Sequence, residues 1–282
     1  MNPKPLRDVS LCCIDTRTPA VALYALRASM AQCAFAKVIL FSDKTAENLD
    51  LTGIELIKIP PIKTIDQYSH FVLKDVAKHI STSHALIIQW DGFVINGHLW
   101  QDDFLTFDYI GAPWLHGPGN GLVGNGGFSL RSKRLLDIVA QKEFEASNPE
   151  DLCICIEHRA RLEREHQIVF APAAQAEYFA CERGDWHSAF GFHGLFNFPN
   201  FMPEVQLADY IAALPQDLCG SKDARHLIRN CMIRHDFTNA STILDKRAKL
   251  QGWTRDHLLL KLRLFFGAFT ISLKKHVSAK HQ

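Results

Sequence analysis

HALIIQWDGFVING, residues 84–97, sets an apolar run against one carboxylate, Asp91, followed by a glycine. A short apolar run bounded by turn residues reads as a strand buried on both faces. Asp91 then falls where that strand ends. An aspartate before a glycine is commonly a turn former; it is also the residue type that binds a divalent cation beside a phosphate. Upstream, VSLCCID (9–15), KVILFSD (37–43) and IELIKI (54–59) are further short apolar runs. Between them lie two segments with helical spacing, PAVALYALRASMAQC, opened by Pro19, and DQYSHFVLKDVAKHI (66–80). The order strand, helix, strand, strand, helix, strand predicts a largely parallel α/β sheet flanked by helices. Ligands of such sheets gather at the carboxyl ends of the strands. Asp15, Ser42, Asp43 and Asp91 all fall there.

The chain has 282 residues, 47% hydrophobic and 22% charged, and a formal net charge of +1. This composition predicts a sizeable core and argues against a nucleic-acid partner, since no long basic patch is present. The opening MNPKPLRDVS lacks the apolar segment of a secretory signal. The eight cysteines contain no CxxC pair and sit mostly in apolar runs. Both features lead us to expect a cytoplasmic protein with reduced, buried thiols. The glycine-rich stretch 109–132, YIGAPWLHGPGNGLVGNGGFSLRS, has neither P-loop spacing nor a GxGxxG after the first strand, so its glycines are expected to serve close backbone approach or tight turns. NPEDLCICIEHRARLEREH (148–166) reads as a helix with Asn148 at its N-cap and Pro149 in its first turn.

After about residue 203 only helical segments follow, roughly 203–214, 221–235, 239–250 and 254–275. We therefore expect a catalytic domain over 1–202 and an all-helical appendage over 203–282. The last segment has ten uncharged residues between Arg263 and Lys274, too few for a bilayer span of about 20. On a helix, Leu258, Leu259, Leu262, Phe265, Phe266 and Phe269 share one face, and Lys261, Arg263, Lys274, Lys275 and His276 add positive charge. Residues 254–276 thus have the pattern of a peripheral membrane contact or of a face packed on the catalytic domain.

ALIIQWDGFVI, DYIGAPW, GNGGFSLRS, PEDLCI and FGFHG follow one another in the order expected of GT-A-type glycosyltransferases. The chain resembles a bacterial glycosyltransferase-like domain family of unassigned function, over residues of about 8 to 200. The resemblance implies a GT-A, Rossmann-like core that moves a sugar from a nucleotide-sugar donor, a UDP-sugar favoured, to a glycan or lipid-linked glycan acceptor. It implies a role in bacterial surface polysaccharide such as lipopolysaccharide or capsule. It also implies Mn²⁺ or Mg²⁺ held by Asp91, the last carboxylate of a DxD-type motif whose first position is here Gln89, and by the late His193. Asp15, Thr16, Arg17 and Asp43 would hold base and ribose. Gln89, Trp90, Asn125, Gly126 and Gly127, with Ser129, would line the donor pocket. Asp151, or its neighbour Glu150, would deprotonate the acceptor hydroxyl, with inversion favoured. Trp114, Asp185 and Trp186, with His187, would meet the acceptor. A metal-dependent nucleotidyltransferase and a non-catalytic sugar-binding module are the alternative readings.

Overall fold

The structure, a computed structural model, describes residues 2–44, 49–116, 119 and 121–279, with side chains as far as Gly267. Residues Met1–His193 and Gly194–Gln282 form two compact units. The first unit begins β1 (Lys4–Ile14), α1 (Pro19–Gln32), β2 (Cys33–Ser42), β3 (Glu55–Lys58), α2 (Ile65–Lys74) and β4 (His84–Ile88). It continues with β5 (Gly92–Val94), β6 (Tyr109–Gly111), β7 (Phe128–Ser132), α3 (Lys133–Ala140), α4 (Glu150–Leu152), α5 (Arg159–His166), α6 (Ala173–Phe179), β8 (Ala180–Cys181) and β9 (Gly191–His193).

Six strands form one sheet in the order β3-β2-β1-β4-β7-β6, and β5, β9 and β8 form a second, smaller one. β1, β2, β3 and β4 run parallel, while β7 pairs antiparallel with β4 and β6. The fold is therefore Rossmann-like α/β, mostly parallel at its centre. β4 has every residue buried, as expected of a strand flanked on both edges and covered on both faces. The order in which strands are added reverses about β1: β2 and β3 lie on one side and β4 on the other. Such a switch point opens a crevice beyond the carboxyl ends of the two central strands. Asp15, after β1, and Asp91, after β4, stand at that crevice.

The described residues of the glycine-rich segment are held by pairing. Pro113 bridges Val123, and the Trp114 amide donates to the Leu122 carbonyl at 2.9 Å, which closes a hairpin loop between β6 and β7. The expected continuous helix over 148–166 is interrupted. α4 is a single turn, residues Cys153–Glu157 wind as a π-helix, and α5 follows. Pro149 takes the N-cap position, and the Asn148 side chain donates instead to Asp66 Oδ1 at 3.1 Å. Between α5 and α6 the chain touches the sheet through a bridge of Tyr109 with Phe170. All eight cysteines are buried and unbridged.

The second unit is helical: α7 (Glu204–Ala213), α8 (Lys222–Ile233), α9 (Phe237–Gln251) and α10 (Arg255–Ala279), with two short 3₁₀ turns. Ser221 and Asp236 cap α8 and α9 through their side chains, the residue types that satisfy the first free amides of a helix. Lys246 Nζ donates to the carbonyls of Ile211, Ala212 and Leu214 at the end of α7. No helix among the described residues is long and apolar enough to cross a membrane. The side chains of Phe269, Lys274, Lys275 and His276 lie outside the described ones.

Asp108 locks the edge of the main sheet. Its carboxylate accepts from Ser132 Oγ at 2.5 Å, Arg134 Nη2 at 2.6 Å and the Val169 amide at 2.9 Å. Burial opposes its charge, but these donors outweigh burial and hold its pKa below the usual carboxylate range. The stability it contributes is complete above the unfolded carboxylate pKa of about 3.9 and is lost as pH falls through the lower folded value. Asp108→Asn should cost about 2 kcal/mol at neutral pH and flatten the acid limb of the stability profile. Urea unfolding across pH 3 to 7, wild type against variant, checks both.

Candidate functional site

β4 does not end at Asp91 but at Ile88, three residues before it, and a tight turn follows. The Gly92 amide donates to the Gln89 carbonyl at 3.2 Å, closing a four-residue turn over Gln89, Trp90, Asp91 and Gly92. Asp91 is a turn residue, yet only 7% of it is exposed. Its carboxylate is turned inward toward a histidine. β5 continues directly from the turn and pairs antiparallel with β9, setting Gly92 opposite His193. Thus the strand that starts beside Asp91 carries His193 back to it. Asp91 Oδ1 and Gln89 Oε1 each lie 3.4 Å from His193 Nε2. The other ring nitrogen, Nδ1, lies 3.3 Å from Glu182 Oε1.

Burial opposes a charge on His193. Asp91, by charge and hydrogen bond, and then Glu182 more than compensate, and together they raise the imidazole pKa to about 10. The ring thus lies between two carboxylates, one at each nitrogen.

The glycines of GNGG make seats for these groups. A Cβ on Gly127 would fall 2.1 Å from His193 Nε2, and one on Gly126 would fall 2.0 Å from Glu150 Oε1. Real side-chain carbons do not approach so closely, so neither position admits a larger residue without moving the site. The Gln89 amide donates to the Gly127 carbonyl at 2.9 Å, fastening the stretch to the end of β4. Asn125 takes the left-handed conformation, φ 63°, which asparagine tolerates better than most residues. Its Oδ1 accepts from the Gly127 amide at 3.2 Å. Its Nδ2 is buried with no hydrogen-bond partner among the described residues, and a buried donor of this kind ordinarily has one.

The two acidic neighbours of the PED motif part company. Glu150 is buried and its Oε1 accepts from Arg131 Nη2 at 2.9 Å. Burial raises its pKa, the Arg131 charge opposes this, and the net direction is upward. Arg131 is itself fully buried in β7, with its guanidinium 5.1 Å from the Tyr109 ring. The Tyr68 ring also reaches this region: burial and then the Glu150 charge oppose ionisation of its hydroxyl, while Gln89 favours it. Asp151, by contrast, is half-buried, accepting from the Gly126 amide at 3.2 Å and the Leu152 amide at 2.9 Å. Of the pair it is the carboxylate that solvent reaches.

At the end of β1 the Asp15 carboxylate turns back on its own chain. It accepts from the Arg17 amide at 2.7 Å, the Thr18 amide at 2.5 Å and the Thr18 hydroxyl at 2.9 Å. Thr16 Oγ1 donates to the Ile62 carbonyl at 3.0 Å and accepts from the Ile62 amide at 2.9 Å. Both side chains tie loops together, and Arg17 is left as the exposed member of the trio. Asp43 pairs with Lys44 through Oδ2 at 3.3 Å, while its Oδ1 is buried with no partner among the described residues. Burial raises the Cys13 thiol pKa, and the charges of Asp15 and Asp91 raise it further, which places both carboxylates around the end of β1.

Trp90 and Trp114 are half-buried. Trp114 lies against Gly119 and Gly124, where any Cβ would strike its ring. Trp186 stands edge-on to Phe192 at 6.1 Å, and Asp185 and His187 are exposed. Gly184 touches Leu115, so the Trp114 hairpin and the 182–187 loop are neighbours. Sequence reading did not single out Glu182, Arg131 or Tyr68. Arg131 lay within the quoted GNGGFSLRS, but nothing local marks Glu182 or Tyr68 as companions of His193 and Glu150.

The family described as "Protein of unknown function (DUF5672)" matches residues 52–193, just over half of the chain and the whole span from the turn after β2 to His193. The chain belongs to this family. No curated protein matches it. Similar solved structures include the bifunctional IspDF from Campylobacter jejuni, at 10% identity and TM-score 0.38, covering 52% of this chain and 46% of that one. Another is the apo-form glycosyltransferase GlyE of Streptococcus pneumoniae, at 14% identity and TM-score 0.35, covering 60% and 42%. A third is HddC from Yersinia pseudotuberculosis, at 16% identity and TM-score 0.29, covering 45% and 79%. The chain thus spans less than half the length of the first two.

The donor set suits a hard divalent cation. An amide oxygen, a carboxylate oxygen and an imidazole nitrogen converge. Neighbouring ligands of a six-coordinate ion with bonds near 2.1 Å stand roughly 3 Å apart, close to the 3.4 Å observed here. Glu182 on Nδ1 would direct Nε2 toward the ion, the carboxylate–histidine arrangement of metal sites. Cys153, Glu157 and His158 are the one other compact trio of donors among the described residues. There the Cys153 thiol is bonded to the Glu145 carbonyl and its pKa is raised by burial, which suits a structural thiol.

The Arg131–Glu150 pair should behave as a buried unit. Arg131→Met or Glu150→Leu alone should destabilise the fold by about 3–5 kcal/mol, whereas the double variant should recover most of that loss. Thermal unfolding of the three variants measures the coupling.

Proposed function

We propose that the chain is a GT-A-type glycosyltransferase. The observation that carries the reading is the convergence of Gln89, Asp91 and His193 beside the switch-point crevice, with unused polar atoms on Asn125 and Asp43. Residues 1–202 would form the catalytic domain, and a nucleotide-sugar, a UDP-sugar favoured, would lie along the ends of β1, β2 and β4. Asp43 Oδ1 would accept from a ribose hydroxyl and Arg17 would meet phosphate or base. Asn125 Nδ2 would donate to a hydroxyl of the transferred sugar. Mn²⁺ or Mg²⁺ held by Gln89, Asp91 and His193 would neutralise charge growing on the departing diphosphate.

Asp151 is the base in this reading. It is solvent-reachable, held by two backbone amides, and one residue from the buried pair that anchors its turn. Those two amides fix the orientation of its carboxylate, as a base that must lie within hydrogen-bond reach of an acceptor hydroxyl requires. The Asp151 carboxylate would take the acceptor hydroxyl proton as that oxygen attacks the anomeric carbon, giving inversion. Trp114, Trp186 and Asp185, on two adjoining loops, would receive the acceptor, a glycan of the kind found in bacterial surface polysaccharide. Glu150 has a supporting part, since its carboxylate is committed to Arg131.

Calorimetry with UDP and GDP, with and without Mn²⁺, tests the donor site. Nucleotide should bind more tightly with the ion, and Asp91→Ala should remove the ion's effect while the protein stays folded. Ion-dependent binding unchanged in Asp91→Ala would leave Asp91 as a turn residue only. Release of nucleoside diphosphate from a nucleotide-sugar panel tests the chemistry. Asp151→Asn should lower turnover by about 10²–10⁴-fold with little change in donor binding. Nucleotide binding without release on any acceptor would favour the binding-module reading.

A further inference from the structure

α10 buries one stripe and exposes another. His257, Leu260 and Leu264, spaced three and four apart, are nearly fully buried and face the rest of the second unit. Leu258, Leu259, Leu262, Phe265 and Phe266 are 47–66% exposed. At about 100° per residue, these five occupy a sector about 120° wide, centred opposite the buried stripe. The exposed face is therefore not the one that packs the helix. A helix apolar on both sides is not explained by the burial of one.

Charge is arranged around the exposed sector. Lys261 falls at one border and Arg263 at the other. Lys261 Nζ stands 4.5 Å from the centre of the Trp253 ring, itself 49% exposed at the start of the helix. Asp256 is the last acidic residue in the sequence, and it is paired with Arg225, Nε to Oδ2 at 2.7 Å. From His257 to Gln282 there are five lysines and arginines and no aspartate or glutamate, against a net charge of +1 for the whole chain. The spacing of the apolar sector continues in the sequence through Phe269 and Leu273.

We propose that α10 docks on an anionic phospholipid surface, with the Leu258–Phe266 face in the interface and Lys261 and Arg263 at headgroup level. Cations on both borders of an apolar sector, with an aromatic ring beside one of them, match what such a surface offers. The apolar residues leave water for the acyl boundary, and the long basic side chains extend back to phosphate. The helix would lie along the surface, since no helix among the described residues is long and apolar enough to cross. The inference does not depend on the proposed transferase activity.

Cosedimentation of the full chain with vesicles tests it, comparing phosphatidylcholine alone with phosphatidylcholine containing phosphatidylglycerol. Binding is expected only to the anionic vesicles and should weaken in high salt. Lys261→Glu/Arg263→Glu should reduce the partition coefficient at least about tenfold, the scale that two basic side chains supply. Phe265→Ser/Phe266→Ser should reduce it comparably; these positions are exposed, and circular dichroism checks the fold of each variant. No binding by the wild type overturns the proposal, as does wild-type binding by either variant. A dimer in sedimentation velocity that the Phe265→Ser/Phe266→Ser variant loses, with no vesicle binding, would assign the face to a second copy instead.

Discussion

Gly92 lies opposite His193 in the pairing of β5 with β9, and the candidate site depends on that contact more than on any other. Gln89 and His193 are 104 positions apart in the chain. They meet because the turn after β4 feeds a three-residue strand whose partner ends on the histidine. Strands this short are weak in isolation. An aromatic layer stiffens them: Phe93 packs on Phe192 at 4.7 Å, and Phe128, Phe179 and Phe190 pack against one another beneath. The phenylalanines around FGFHG thus position the imidazole rather than meet a ligand. Gly127 completes the arrangement by leaving room for the ring.

A second constraint acts through charge. Arg131 and Glu150 are both buried, and each makes the other tolerable there. A lone charge at either position would face a desolvation cost with nothing to offset it. Their pairing joins β7, which begins directly after the glycine seats, to α4, which carries Asp151. Two adjacent carboxylates that look alike in sequence then have different work: one is spent on the fold, and the other stays within reach of water. The same division appears after β1, where Asp15 and Thr16 hold loops together and Arg17 remains exposed.

These constraints gather polar groups at one edge of an otherwise apolar sheet. The parallel strands bring their carboxyl ends together, the switch point opens the crevice between two of them, and the hairpin after β6 and the loop after β8 stand side by side. Buried polar atoms without partners among the described residues, on Asn125 and Asp43, are expensive in a finished fold.

The alternation of strand and helix, the parallel centre of the sheet and the helical second unit were legible in the sequence because periodicity is local: an apolar run or a 3.6-residue stripe declares its own burial. The apolar runs also showed that Asp15 and Asp91 follow strands, although β4 stops at Ile88 and leaves Asp91 in the turn beyond it. Periodicity does not say which distant segment will be the neighbour. Glu182 beside His193, Arg131 beneath Glu150, the loop ties of Asp15 and Thr16, and the break at Cys153–Glu157 all came from long-range packing. So did the exposure of the apolar face of α10. The sequence marked one apolar face on the helix and left open whether it was packed or exposed; only the fold decided, because a helix can turn just one stripe toward its core, and here that stripe is His257, Leu260 and Leu264.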